Sequence, residues 1–226
     1  MKILDLILDI IYPKRCVVCG ALLGINNSVN LCSACNKIVK TTKGIKVKDL
    51  SVKTTKSLDK IDSLYSIFEY KQAKNGIQHF KFDGCKNNGI LLGDIMFIVA
   101  ARENPGVFAN KDILIPVPIH DKKYRQRGFN QAEILAERIS LRRDIPVVSD
   151  NLIRVLNTTP QSEFDKKARK ENVKNAFVVK NKEMIEGKRI LLIDDIDTTG
   201  ATINECARVL LQAGAKKVSG ITLTSD

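Results

Sequence analysis

Two adjacent carboxylates followed by a turn rich in hydroxyls carry the clearest chemistry in this chain. In "ILLIDDIDTTGAT", Ile190 to Thr202, four apolar residues run directly into Asp194 and Asp195. Asp197, Thr198, Thr199, Gly200, Ala201 and Thr202 then form a turn into a helical pattern. Amides at a helix start, together with the helix dipole, favour an anion. Gly200 permits close backbone approach, and the threonine hydroxyls add donors. The stretch lacks the Gly and Lys positions of a nucleotide P-loop. The carboxylate pair can accept hydrogen bonds from a sugar's vicinal hydroxyls or hold Mg2+. Phosphate at the turn and ribose at the acids together describe a ribose 5-phosphate group.

A second constellation lies near the N-terminus. Cys16 and Cys19 form one C-x-x-C pair, and Cys32 and Cys35 form another after twelve intervening residues. Two such knuckles a short hairpin apart suit tetrahedral Zn2+ held by four thiolates. Four protein ligands leave no open position, so the expected zinc is structural. The alternatives are two disulfides or a redox pair in each knuckle. The opening "MKILDLILDIIYPKRC" carries Asp5 and Asp9 within its apolar run and reads as an amphipathic helix rather than an export signal, which disfavours disulfides. Cys206 falls on a helical apolar face and reads as an inert buried thiol, and Cys85 has no assigned role.

A third group is cationic. After "PVP" come Ile119, His120, Asp121, Lys122, Lys123, Arg125 and Arg127. The lysines and arginines supply charge near a strand end, where an anion can be received, although such a run also suits a solvated surface. The whole chain of 226 residues carries a net charge of +12, which favours nucleic acid, phosphorylated small molecules or an acidic membrane surface. A Lys-rich solvated surface accounts for the charge equally well. The stretch from Asn36 to Lys60 holds eight lysines and no aromatic side chain, so it offers no stacking platform for bases. No segment approaches the ~20 apolar residues of a membrane-crossing helix, and the expected location is cytoplasmic.

These groups need elements to position them. "SLYSIFEY", "DILIPVPI", "RILLIDDI" and "KKVSGITLTS" read as strands. "NGIQHFKFDG", "ILLGDIMFIVAARE", "GFNQAEILAERIS" and "ATINECARVLLQAG" read as helices. Strands that alternate with helices and carry continuous apolar runs predict an α/β fold, a parallel sheet covered on both faces. Ligands of such sheets bind beyond the carboxyl ends of the strands, where Asp194 and Asp195 stand. Residues 1–60 are expected to form an N-terminal helix, a zinc ribbon and a Lys-rich linker, and 61–226 the larger domain.

"LLIDDIDTTGAT" resembles the phosphoribosyl-pyrophosphate (PRPP) signature of type I phosphoribosyltransferases. The four-cysteine start, "KFDG", "IPVPIHDKKYRQRGFNQAEILA" and "TPQSEFDKKARKENVKNAF" together resemble the ComF family, bacterial competence-associated proteins of phosphoribosyltransferase type. The resemblance implies a type I phosphoribosyltransferase-like domain that binds PRPP with Mg2+. It places Asp194 and Asp195 at the ribose, Asp197 to Thr202 at the 5-phosphate, and Ile119 to Lys123 at the pyrophosphate. It assigns the segment from Arg154 to Asn172, with Gln161, Arg169 and Asn172, to a mobile loop that closes over substrate. Some purine-salvage relatives carry an Asp where this chain has Thr198, so that proton acceptor is missing here. The resemblance also implies work in DNA uptake. Three readings follow: a transferase, a single-stranded-DNA-binding module, or an adaptor docking on a partner such as a competence helicase.

Overall fold

The computed structural model describes residues 13–24, 27–40, 60–82, 86–157 and 173–225. The expected N-terminal amphipathic helix, most of the Lys-rich linker, Cys85 and the loop residues Gln161, Arg169 and Asn172 lie outside them.

Among the described residues the chain runs α1 (Ser33–Lys40), β1 (Leu64–Glu69), α2 (Tyr70–Phe82), α3 (Lys86–Glu103), β2 (Ile113–Pro116), α4 (Asp121–Arg127) and α5 (Gln131–Arg143). It continues through β3 (Leu152–Arg154), β4 (Phe177–Val179), β5 (Arg189–Asp197), α6 (Ala201–Gln212) and β6 (Lys217–Ser225). Four strands form a parallel sheet in the order β1-β6-β5-β2, and β3 and β4 form a separate antiparallel ribbon. The parallel sheet with helices on both faces is the architecture that the alternation of elements predicts.

Alternate residues of the strands feed two cores, as the two-residue period of a strand requires. Leu191, Ile193, Leu114 and Leu223 pack with Ile77 and Phe80 of α2, Met96 of α3 and Leu135 of α5. Ile190, Leu192 and Ile115 pack on the other face with Ile203, Cys206 and Leu210 of α6 and with Phe177 of the ribbon. The chain after β2 therefore leads to helices on one face, and the chain after β5 leads to a helix on the other. Adjacent strands whose connections part in this way leave a crevice at their carboxyl ends.

α2 is longer than the sequence predicts. Its helix begins at Tyr70, directly after β1, rather than near Asn75. A mid-helix glycine costs about 1 kcal/mol against alanine and reads as a helix start or break. Gly76 is there for a different reason. A Cβ at this position would overlap the carbonyl oxygens of Val17 and Val18 in the first cysteine knuckle. The knuckle thus lies directly on α2. Cys16, Val17, Val18 and Cys35 share one apolar core with Ile77, Phe80 and Leu92.

Candidate functional site

The cysteine knuckle is built locally. Gly20, at a φ of 75°, turns the chain after Cys19, and its amide donates to the Cys16 carbonyl at 2.8 Å. The Cys35 amide donates to the Cys32 sulfur at 3.4 Å, the usual way a knuckle stabilises thiolate character. The four ligand sulfurs lie within 4.8 Å of one another, and Cys19 Sγ is 3.7 Å from Cys32 Sγ. A hydrogen bond from the Cys35 thiol lowers the Cys16 thiol to about 4, and the same contact pushes Cys35 up. Four soft donors converging on one point fit a structural zinc and supply all its ligands.

The second site is the crevice between β2 and β5, a cleft of about 150 Å3. Val117, Pro118 and Ile119 border it after β2, Asp194 and Asp195 lie at its β5 wall, and Thr202 comes from the first turn of α6. Lys123 and Arg127 reach it from α4, Asn130, Gln131 and Ala132 from the start of α5, Lys81 from the end of α2 and Arg154 from β3. The volume is below the roughly 300 Å3 of common small-molecule pockets, enough for the anionic part of a ligand.

β5 does not stop at the acids. It runs on to Asp197, so Asp194 and Asp195 are strand residues whose side chains diverge toward the two faces. Asp195 is 8% exposed and pairs with Lys81 Nζ at 2.7 Å on the α2 side. At that distance the ammonium and the carboxylate oxygen form a charge-assisted pair. Asp194 faces Arg154 of the ribbon and the buried Cys206 of α6, both of which feel its charge. Burial first, and then the charge of Asp195, hold the Asp194 carboxyl well above the usual aspartate range, against a lowering pull from Lys81.

The cation run is a helix, α4, and this sorts its residues. His120 caps it, with Nδ1 accepting from the Lys122 amide at 3.2 Å. Asp121, Lys122 and Arg125 face solvent, whereas Lys123 and Arg127, four apart, face the cleft. Burial, then the charges of Arg154, Arg127 and Lys81, lower the Lys123 ammonium, while Asp195 opposes this. Such crowding of like charge is what an anion relieves. Arg154 lies 5.4 Å from the centre of the Phe177 ring, which fixes its guanidinium at the cleft mouth.

The turn before α6 is partly self-satisfied. The Gly200 amide, expected to point outward, donates to Asp197 Oδ1 at 2.6 Å, and Gly200 takes a φ of 72° as the helix cap. The Ala201 amide contacts Thr199 Oγ1 at 3.4 Å. Thr198 is exposed, and Thr202 alone of this group borders the cleft.

Sequence reasoning assigned no role to Lys81, Asn130 or Gln131 and placed Arg154 only at the start of a loop. "KFDG" and "RGFNQ" contain three of these residues. Asn130 caps α5 and donates from Nδ2 to the Val117 carbonyl at 3.1 Å, which ties the helix start to the end of β2. Gln131 is 2% exposed, and its Oε1 accepts from Arg127 at 3.0 Å. Its Nε2 has no acceptor among the described residues.

A resident Mg2+ on the acid pair does not fit this geometry. Lys81 already occupies the Asp195 oxygen, the carboxylates diverge, and three more cations border the same cleft.

Comparison with known proteins meets this geometry at both ends of the chain. Residues 125–226 match the phosphoribosyl transferase domain, and 7–45 match the double zinc ribbon domain. Within 7–45 the sequence has four cysteines and no histidine, ligands for one tetrahedral site. Competence protein F of Haemophilus influenzae is 32% identical over 145 residues, which cover 63% of this chain and 63% of that protein. DNA utilization protein YhgH of Escherichia coli K12 is 26% identical over 91% of this chain and 94% of its own length. Competence protein ComFC of Bacillus subtilis is 39% identical over 49% of this chain and 43% of its own length. Together these matches fit a ComF family protein. Among solved structures, the purine phosphoribosyltransferase of Pyrococcus horikoshii aligns over 60% of this chain and 83% of that one, at 14% identity and a TM-score of 0.38. In this chain the zinc ribbon match precedes the phosphoribosyl transferase match. Among the described residues no helix is long and apolar enough to cross a membrane.

Proposed function

We propose that the cleft binds a phosphoribosyl diphosphate ligand, PRPP or a close analogue, and that this binding serves the handling of DNA that the relatives' names describe. The observation that carries the reading is the cleft's lining: four cations, the Asp194–Asp195 pair of β5 and Thr202 at the start of α6 converge on one cavity. Carboxylates are acceptors of the kind that a ribose hydroxyl can donate to. Lys123, Arg127, Arg154 and Lys81 suit the diphosphate, and the turn from Asp197 to Thr202 suits the 5-phosphate. Any Mg2+ arrives on the diphosphate of the ligand rather than as a resident ion. The geometry supplies positioning and charge stabilisation for a leaving diphosphate. Thr198 stands where the resemblance places a proton-accepting Asp in some purine-salvage members, so that group is missing at this position.

Calorimetric titration with PRPP tests this reading. Asp194→Ala combined with Asp195→Ala is expected to abolish heat of binding while the circular dichroism spectrum stays that of the wild type. Wild-type affinity in a folded double variant refutes the assignment.

The net charge of +12 favours a second role, in which single-stranded DNA binds the same chain. That role requires affinity that falls steeply between low and high salt. Salt-independent binding, or none, removes it. PRPP titrated with the DNA present then shows whether the two ligands compete.

A further inference from the structure

We propose that Lys81 stands in for a divalent cation, so that the cleft takes a diphosphate group with protein charges alone. This rests on the phosphoribosyl reading of the cleft.

Lys81 Nζ lies 2.7 Å from Asp195 Oδ2, with side-chain exposures of 18% and 11%. An Mg2+ ion needs its oxygen ligands at about 2.0–2.1 Å, and it cannot share that oxygen with an ammonium already in contact. The pair is also not a sealed core ion pair, because both partners border the cleft. Asp195 Oδ2 is thus taken up by the lysine, and the rest of the carboxylate borders the cleft. The lysine supplies positive charge at the point where a metal on this carboxylate would supply it.

The charges around the cleft point the same way. Lys81, Lys123, Arg127 and Arg154 outnumber Asp194 and Asp195 by two. A further divalent cation would add repulsion at that spot, whereas a diphosphate would remove it. The guanidiniums are held in advance, Arg154 against the Phe177 ring and Arg127 on Gln131 Oε1 at 3.0 Å. Groups already in position lose less freedom when the anion arrives. Lys81 comes from the last turn of α2, the helix on which the cysteine knuckle rests. The knuckle thereby helps fix the lysine that substitutes for the metal.

The test uses the full-length protein, titrated with inorganic pyrophosphate and separately with PRPP, first in EDTA and then in excess Mg2+. Wild type is expected to bind both ligands in EDTA, within about tenfold of the affinity in Mg2+. Lys81→Met is expected to weaken pyrophosphate at least about tenfold in EDTA and to regain most of it in Mg2+, because the vacated carboxylate can then take the metal. Lys81→Arg is expected to keep EDTA binding. Lys81→Met with Asp195→Asn removes both charges, guards against misfolding from a stranded carboxylate, and is expected to stay weak in both conditions. Binding of both ligands to wild type only when Mg2+ is present overturns this inference and leaves the phosphoribosyl reading standing. Unchanged EDTA affinity in Lys81→Met overturns it as well. No PRPP binding in either condition overturns both.

Discussion

The cysteine knuckle and the cleft are both charged binding sites, and they are assembled in opposite ways. The knuckle gathers four like ligands from one short stretch, and local turns bring their sulfurs within 4.8 Å of one another. The cleft gathers unlike groups from α2, α4, α5, β3, β5 and α6. The first is closed by its own ligands, and its affinity is coupled to folding. The second stays open, with four cations and two carboxylates along its lining. A site that stabilises the fold can be encoded by spacing, whereas a site that receives a ligand depends on where the elements end.

The largest effect is expected at the knuckle. Cys35→Ser should reduce bound zinc well below one equivalent. It should also lower the melting temperature by roughly 10 °C, corresponding to about 4 kcal/mol for a chain of this size. Elemental analysis paired with a thermal melt checks this, and an unchanged melt would reduce the knuckle to an appendage.

Gly76→Val comes next, because it tests whether knuckle and sheet domain share one core. The new side chain meets two backbone carbonyls that cannot rotate away. A loss of about 1–3 kcal/mol is expected in urea unfolding, with zinc retained. Full zinc and full stability together would mean that the two parts do not rest on each other.

Gln131→Leu addresses the cleft. Removing a buried amide whose Nε2 lacks an acceptor should leave stability unchanged or slightly raised. Pyrophosphate affinity should fall about three- to tenfold, the worth of one lost hydrogen bond. Lost stability with unchanged affinity would make Gln131 a packing residue.

The smallest effect concerns pH. The Asp194 carboxyl is raised in the fold, so the folded chain holds a proton that the unfolded chain releases above about 3.9. Its contribution to stability is therefore present at low pH and declines as pH rises from there toward the raised folded value. Asp194→Asn should flatten this decline, seen as a melting temperature that varies less with pH in the ligand-free protein. An identical pH profile would mean that Asp194 is not strained in the empty cleft.

Much of this was legible from the sequence, for reasons visible residue by residue. The apolar run before Asp194 marks a buried parallel strand, and the spacing of Ile203, Cys206, Ala207 and Leu210 marks the buried face of α6. The helix at the cation run is not legible in the sequence, because seven residues are too few for a clear helical period. The cap at His120 and the pairing of Lys123 with Arg127 were the available signals. β3 and β4 span three residues each, too short for alternation to register. Gly76 misled the reading of α2 because its cause lies near the start of the chain, where Val17 and Val18 are.

The sequence by itself determined the cysteine spacing that suits a zinc knuckle, the alternation of the longer strands and helices and the acid-then-turn motif, because each is written in short local patterns. Only the tertiary structure decided that Asp194 and Asp195 point to opposite faces and that Lys81 meets Asp195 at 2.7 Å. It alone brought Arg154 and Gln131 to the same cleft. Gln131 and Arg154 stand 23 positions apart and Lys81 and Asp195 stand 114 apart, and only the packing of helices onto both faces of one sheet sets their distances.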